Sequence, residues 1–215
     1  MSVATRTLVI DTASEACSIA LFDGQKELAA DHRVMGRGHA ERLIPMIDAL
    51  PDKGRADRIL VSLGPGSFTG VRIGIAAARA LGVAWGAKVL GYPTLALVAV
   101  RAWQPTPRPV TVCMNGGHGE WFVQNFTNDS AEGPVHSLTP EDAHAAGAHD
   151  VIVGNRAKEF AALFDDERLA LDLLPDARAA HLLHESRLTS NLAPIYGREP
   201  DAKPQASVKP AGPSK

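Results

Sequence analysis

The chain has 215 residues, enough for one large domain or two small lobes. Lys and Arg total 22 against 24 Asp and Glu, a formal charge of −2, which excludes a strongly basic surface that grips tRNA or DNA by phosphate neutralisation alone. Hydrophobic residues make up 45% and aromatics 5%, so the core must be built from Ala, Val, Leu and Ile.

The opening reads as three strands joined by tight turns: Thr7–Ile10, Cys17–Phe22 and Lys26–Val34. Asp23-Gly24 is the hairpin signal between the last two. From His39 the pattern turns helical, with Leu43, Met46, Ile47 and Leu50 on one stripe. Pro45 inside it removes one backbone donor and predicts a kink or a late start. Ile59–Leu63 is a strand that runs into Gly64-Pro65-Gly66-Ser67-Phe68-Thr69-Gly70, and a helix follows over Val71–Trp85. Val89–Gly91 is a short strand, and Thr94 is placed to cap a helix over Leu95–Trp103.

Gln104–Pro109, with three prolines, reads as an extended hinge near the middle of the chain. Behind it, Val110–Met114 and Glu120–Phe126 form a hairpin around Asn115-Gly116-Gly117-His118-Gly119. Thr139-Pro140 starts a helix. Val151-Ile152-Val153-Gly154-Asn155 is a strand ending in Gly, Arg156–Phe164 a helix, and a final helix is expected over Asp176–Leu188. Residues 1–104 and 105–199 would be a larger and a smaller lobe, and 200–215, rich in Pro, Ala, Lys and Ser, a disordered tail. No internal repeat is visible. Antiparallel strands followed by strand–helix alternation indicate an α/β fold with mixed sheets flanked by helices.

Cys17 and Cys113 lie in apolar runs and read as small buried hydrophobes. No apolar run reaches about 18 residues and the start lacks an apolar signal core, so a soluble cytoplasmic protein is expected, with no membrane contact. The glycine-rich loop before the second helix has two readings. Glycine loops at helix N-termini bind phosphate through free amides, but this one lacks the Gly-Lys-Ser/Thr ending of a P-loop. Alternatively, Gly66 and Gly70 serve a structural turn. Asp11 either orients a metal–nucleotide complex or caps its own turn. Together, Asp11, Thr12, Gly64, Gly66, Ser67, Thr69 and Gly70 make a candidate, vestigial phosphate loop. His39 has no second histidine one turn on, since position 43 is Leu43, so neither a metal nor a cofactor is expected. No nucleophile arrangement is evident. The helix from Val71 is small-faced almost all round: Val71, Ile75 and Ala78 suit the sheet, while Ile73, Ala77, Ala80 and Ala84 suit another helix, either His39–Leu50 or one of another subunit.

Three segments carry a resemblance: Ile10–Leu21, His39–Ile47 and Gly64–Gly74. They resemble the bacterial TsaB family of tRNA threonylcarbamoyladenosine biosynthesis. Ala193-Pro194-Ile195-Tyr196-Gly197-Arg198 is similar to that family's Pro-x-Tyr-x-Arg ending. The resemblance implies an actin/sugar-kinase/heat-shock-like fold of two ribonuclease-H-like lobes. It also implies a non-catalytic subunit that supports the catalytic TsaD, with TsaE as an ATPase partner, a helix interface made either with TsaD or between two copies of the chain as a homodimer, and only indirect contact with tRNA. The implied partner helices would present His39, Leu43, Met46, Ile47, Arg72, Ile73, Ala76, Ala77, Ala80 and Ala84. Asn115–Gly119 departs from the family's Asp-Ala-Arg-type stretch, and Ala13 stands where phosphate-binding relatives use Gly. The competing functions are an ATPase or kinase acting through Asp11 and the Gly64–Gly70 loop, and a peptidase, for which nucleophile and metal ligands are missing.

Overall fold

The computed structural model describes residues 5–103, 108–127 and 130–197. Residues 104–107 of the expected Gln104–Pro109 hinge, Arg198 and the tail at 200–215 lie outside them.

The first sheet has the order β3-β2-β1-β4-β5. Its strands are β1 (Arg6–Asp11), β2 (Ala16–Asp23), β3 (Lys26–Val34), β4 (Arg58–Ser62) and β5 (Lys88–Tyr92). The first three are antiparallel, and β4 and β5 run parallel to β1. Ile10 faces Ile19 across one pairing and Val61 across the other. Successive side chains alternate between faces, so Leu8 and Ile10 go to one side and Val9 to the other.

The Leu8 and Ile10 side is covered by α1 (His39–Asp48) and α2 (Phe68–Trp85). Helix α1 begins at His39 and runs through the exposed Pro45, so the proline does not delay its start. Helix α2 begins three residues earlier than the pattern suggests. Ser67 caps it, its Oγ accepting from the Gly70 amide at 3.1 Å, and Gly86 closes it in a left-handed conformation.

The Val9 side is covered by α3 (Thr94–Ala102), buried at every residue but Arg101, from Leu95 at 0% exposure to Ala102 at 6%. Thr94 does not cap it. Pro93 holds the cap position and Thr94 is the first helical residue, its Oγ1 lying 2.5 Å from Ser62 Oγ.

Beyond α3 lies a second sheet, order β11-β10-β6-β7-β8, with β9 (His136–Leu138) also paired to β7. Its members are β6 (Val110–Gly117), β7 (Glu120–Thr127), β8 (Ser130–Ala131), β10 (Val151–Val153) and β11 (Leu169–Leu171). Read from its other end, this is the first sheet again: third, second, first, fourth and fifth strand. The chain therefore contains a topological repeat that its sequence hides. The hiding is physical, because β8 has 2 residues where β3 has 9, and α5 (Ala157–Ala161) has 5 where α2 has 18. The outer face of the second sheet is closed by α4 (Pro140–Ala146) and α5, around Cys113, Trp121, Ile152 and Phe160. Cys17 and Cys113 are both buried free thiols.

The expected final helix does not form. Residues 177–182 and 185–187 are short 3-10 turns separated by the extended Leu183 and His184. Of the buried residues Ala177, Ala179, Ala180 and Leu183, three recur at every third position, which matches the 3-10 period rather than 3.6. Asp176 caps the first turn and bonds Arg178 at 2.6 Å. Burial raises the Asp176 pKa, but its bonds to Arg178 outweigh that and leave it below its ordinary value. The layers thus run helix, sheet, helix, sheet, helix, with one apolar cluster reaching from Val9 and Leu60 through α3 to Val112 and Phe126. No helix among the described residues is long and apolar enough to cross a membrane.

Candidate functional site

Two features of the fold are built for contact: a cleft between the sheets and the outer face of α2. The cleft has a volume of about 800 Å³, a size suited to a small ligand. The β1–β2 turn (Ala13, Ser14, Glu15) faces the β6–β7 turn (Asn115 to His118) across it. Asn155, after β10, spans the gap: its Nδ2 donates to both Glu15 carboxylate oxygens at 2.9 and 3.0 Å, while its Oδ1 accepts from the Asn115 amide. The chain's 194–197 segment runs along the rim, where Ile195 N donates to Leu63 O at 2.7 Å.

Asp11 does not face this cleft. It is 1% exposed, accepts from the Ala13 amide at 3.0 Å, and lies 3.1 Å from Tyr92 Oη. Burial pushes its pKa up to about 6, against the opposing bonds from Ala13, Tyr92 and Ser62. Burial, reinforced by the neighbouring Asp11, likewise holds the Tyr92 phenol well above its ordinary value. The Tyr92 hydroxyl also sits 3.1 Å from Ile10 O. The phenol's single proton is shared between Asp11 Oδ2 and Ile10 O; once Asp11 is protonated it can donate to Tyr92, freeing the phenol proton for Ile10.

The Gly64–Gly70 loop is packed against this turn rather than open to an anion. Ser67 N donates to Ala13 O at 2.7 Å, Gly70 N to Ser67 Oγ, and Val71 N to Ser67 O. Thr12 Oγ1 donates to Gly70 O at 2.7 Å, and Thr69 is exposed. A Cβ on Gly66 would lie 2.1 Å from Ala13 O, and one on Gly70 would lie 2.1 Å from Thr12 O. The glycines therefore let backbone touch backbone. Gly66→Ala is expected to lose about 1–3 kcal/mol in chemical denaturation, since neither neighbour is a movable side chain. An unchanged midpoint would mean that α2 slides away at no cost.

On α2, Gly70, Val71, Gly74, Ile75, Ala78 and Gly82 face inward. Arg72, Ala76, Ala80, Val83 and Ala84 are exposed, Val83 at 88%, and Ile73 and Ala77 are half-buried beside them. On α1 the expectation needs correcting. His39, Leu43, Met46 and Ile47 are 7, 1, 3 and 3% exposed and pack inside this chain, so they offer nothing to another. His39 Nε2 lies 3.3 Å from Ala16 O. The outward apolar residue of α1 is Ile44, 49% exposed. The reason is simple: an apolar stripe at helical spacing marks the face turned to the core. Sequence reasoning does not single out Phe68 and Tyr196 as site residues. Phe68 stands four residues before Arg72, the spacing that puts both on one helical face.

Two mixed sheets of one topology, with a helix between them and a cleft at their hairpin tips, make this an actin/sugar-kinase/heat-shock-type protein. The family profile described as "TsaD: tRNA N6-adenosine threonylcarbamoyltransferase" matches residues 32–139, half of the chain. The tRNA threonylcarbamoyladenosine biosynthesis protein TsaB of Escherichia coli is 41% identical over 151 residues, covering 65% of this chain and 64% of that protein. The TsaB of Haemophilus influenzae is 39% identical over 99 residues, 43% of this chain and 40% of that one. The match thus spans less than two thirds of either relative's length. YeaZ from Pseudomonas aeruginosa superposes with a TM-score of 0.75 at 27% identity, over 89% of this chain and 99% of that one. The chain belongs to the TsaB family.

Proposed function

We propose that this chain is a non-catalytic subunit of the assembly that forms threonylcarbamoyladenosine in tRNA. It docks a TsaD-type catalytic subunit on the outer face of α1 and α2. The observation that carries this reading is the exposed stripe of Ala76, Ala80, Val83 and Ala84 on an 18-residue helix, small enough for another helix to approach closely. The names of the relatives supply the pathway. Asp11 is buried away from the cleft, and Glu15, the other carboxylate of the first turn, is held by Asn155, which supports a reading without nucleotide turnover. A TsaE-type ATPase joins the assembly through the catalytic subunit, and in isolation a second copy can cover the same stripe. Contact with tRNA is indirect, in keeping with a net charge of −2. Localisation is cytoplasmic, where tRNA is modified.

Reconstitution tests this. Purified TsaD- and TsaE-type subunits of the same organism, the threonylcarbamoyl donor and tRNA are combined with and without this chain. Modified tRNA is expected only with it, and co-elution only with the TsaD-type subunit. Full modification in its absence would overturn the proposal. The cleft, at about 800 Å³, favours one competing reading, a nucleotide-using enzyme. Calorimetry of the isolated chain with ATP and magnesium decides that one, with no binding heat expected.

A further inference from the structure

We infer that Arg72 is a preorganised carboxylate receptor, and that the helix docking on α2 brings an Asp or Glu to it. The guanidinium lies 3.2 Å from the centroid of the Phe68 ring and 5.7 Å from that of Tyr196. Its Nη2 donates to Tyr196 Oη at 2.8 Å. The two rings meet at 5.8 Å, so the cation lies stacked on Phe68 with Tyr196, 128 residues further along the chain, beside it. Stacking fixes the plane of the fork and leaves most of its five N–H donors at the edge unused.

No carboxylate among the described residues is within ion-pair distance of Arg72. Helix α2 carries two arginines, Arg72 and Arg79, and no acid. Among the described residues Arg79 reaches the Leu192 carbonyl, at 3.3 Å, and no acid. Phe68 and Tyr196 are 62 and 49% exposed, unusual for rings that hold a fixed side chain. Exposed Arg and aromatic side chains in one rigid cluster are the composition of an interface anchor. Apolar Phe68, Ala76, Ala80 and Val83 continue along the same exposed face, which suits a desolvated protein contact rather than a hydrated phosphate backbone. Two copies pairing through α2 alone would bring four arginines together without an acid. The fork therefore fits a carboxylate on a different chain, bound by two parallel hydrogen bonds.

This inference rests on the proposed docking of a TsaD-type subunit. Its test separates the two. Dissociation constants are measured against the TsaD-type subunit for the wild type, Arg72→Ala, Arg72→Lys and Ala80→Arg, with melting curves as a control for folding. Arg72→Ala is expected to weaken binding at least about 30-fold. Arg72→Lys recovers little, because an ammonium keeps the charge but not the fork. Arg72→Glu is expected to regain binding with one partner variant in which a docking-helix Asp or Glu becomes Arg. If Arg72→Ala binds within two-fold of wild type while Ala80→Arg does not bind, the docking face stands and the receptor falls. If neither matters, both fall. If Arg72→Ala loses retention of tRNA and keeps the protein partner, the fork serves phosphate and the inference is overturned.

Discussion

Ala80→Arg is expected to abolish the complex with a TsaD-type subunit while leaving the fold intact. Ala80 is exposed in the isolated chain, one and two turns from Ala76 and Arg72, so a longer side chain there meets only solvent. Against a second helix it does not. The new guanidinium would be buried on a helix that already carries Arg72 and Arg79 and has no acid to pair with it. A buried unpaired charge costs about 3–5 kcal/mol, a loss of at least about two powers of ten in affinity. Size-exclusion chromatography of the mixed subunits reads the result. Co-elution at micromolar concentration would show that docking uses another face. Ala78→Arg is the contrasting case: Ala78 is 0% exposed and turned to the sheet, so its loss would report folding, not docking.

The second large effect is on stability and depends on pH. Asp11 has a pKa of about 6 in the folded protein because burial disfavours its charge, and an ordinary value of 3.8 otherwise. A raised carboxylate pKa means that the folded state binds more protons than the unfolded state between those two values. Stability therefore falls as pH rises through this window. The cost is fully present above about pH 6 and amounts to about 3 kcal/mol. Asp11→Asn should remove it. An asparagine Oδ1 keeps the Ala13 amide bond, and its NH₂ donates to Tyr92, which donates to Ile10 O. Chemical denaturation at pH 5 and pH 8 is the measurement. The variant should exceed the wild type at pH 8, with the gap closing toward pH 4. A variant less stable than wild type at pH 8 would mean that the hydrogen bonds to the ionised carboxylate outweigh the cost of burying it.

The strands of the first half were readable because alternation and turn residues agree there. Lys26–Val34 is both the expected and the observed third strand. The start of α2 was misjudged by three residues because Ser67 sits inside a glycine loop and was weighed as a ligand rather than a cap. Periodicity on α1 identified the right residues and the wrong audience: Leu43, Met46 and Ile47 face the interior, as an apolar stripe should. The small-faced α2 has a weak period, so its buried and exposed sides could be divided only in part. The rim of the cleft was out of reach. Tyr196 meets Arg72 across 124 residues, and Asn155 meets Glu15 across 140, and no local pattern encodes such a meeting. The second half was read less well because its strands are short and its last helix follows a three-residue rhythm.

Helix α3 gives the cleft its mechanics. A pocket between two lobes invites comparison with a clamshell, whose halves swing on a strip of chain. Here the axle would have to pass through Leu95, Leu97, Val98 and Ala99, all at 0% exposure and wedged between both sheets. Opening the shell would shear a dry, close-packed interior, which has discrete arrangements rather than a smooth range of them. The spacing of the two hairpin tips is thus set by the girth of one apolar helix. The notch between them is a fixed profile, shaped from behind by packing rather than from in front by whatever comes to rest there.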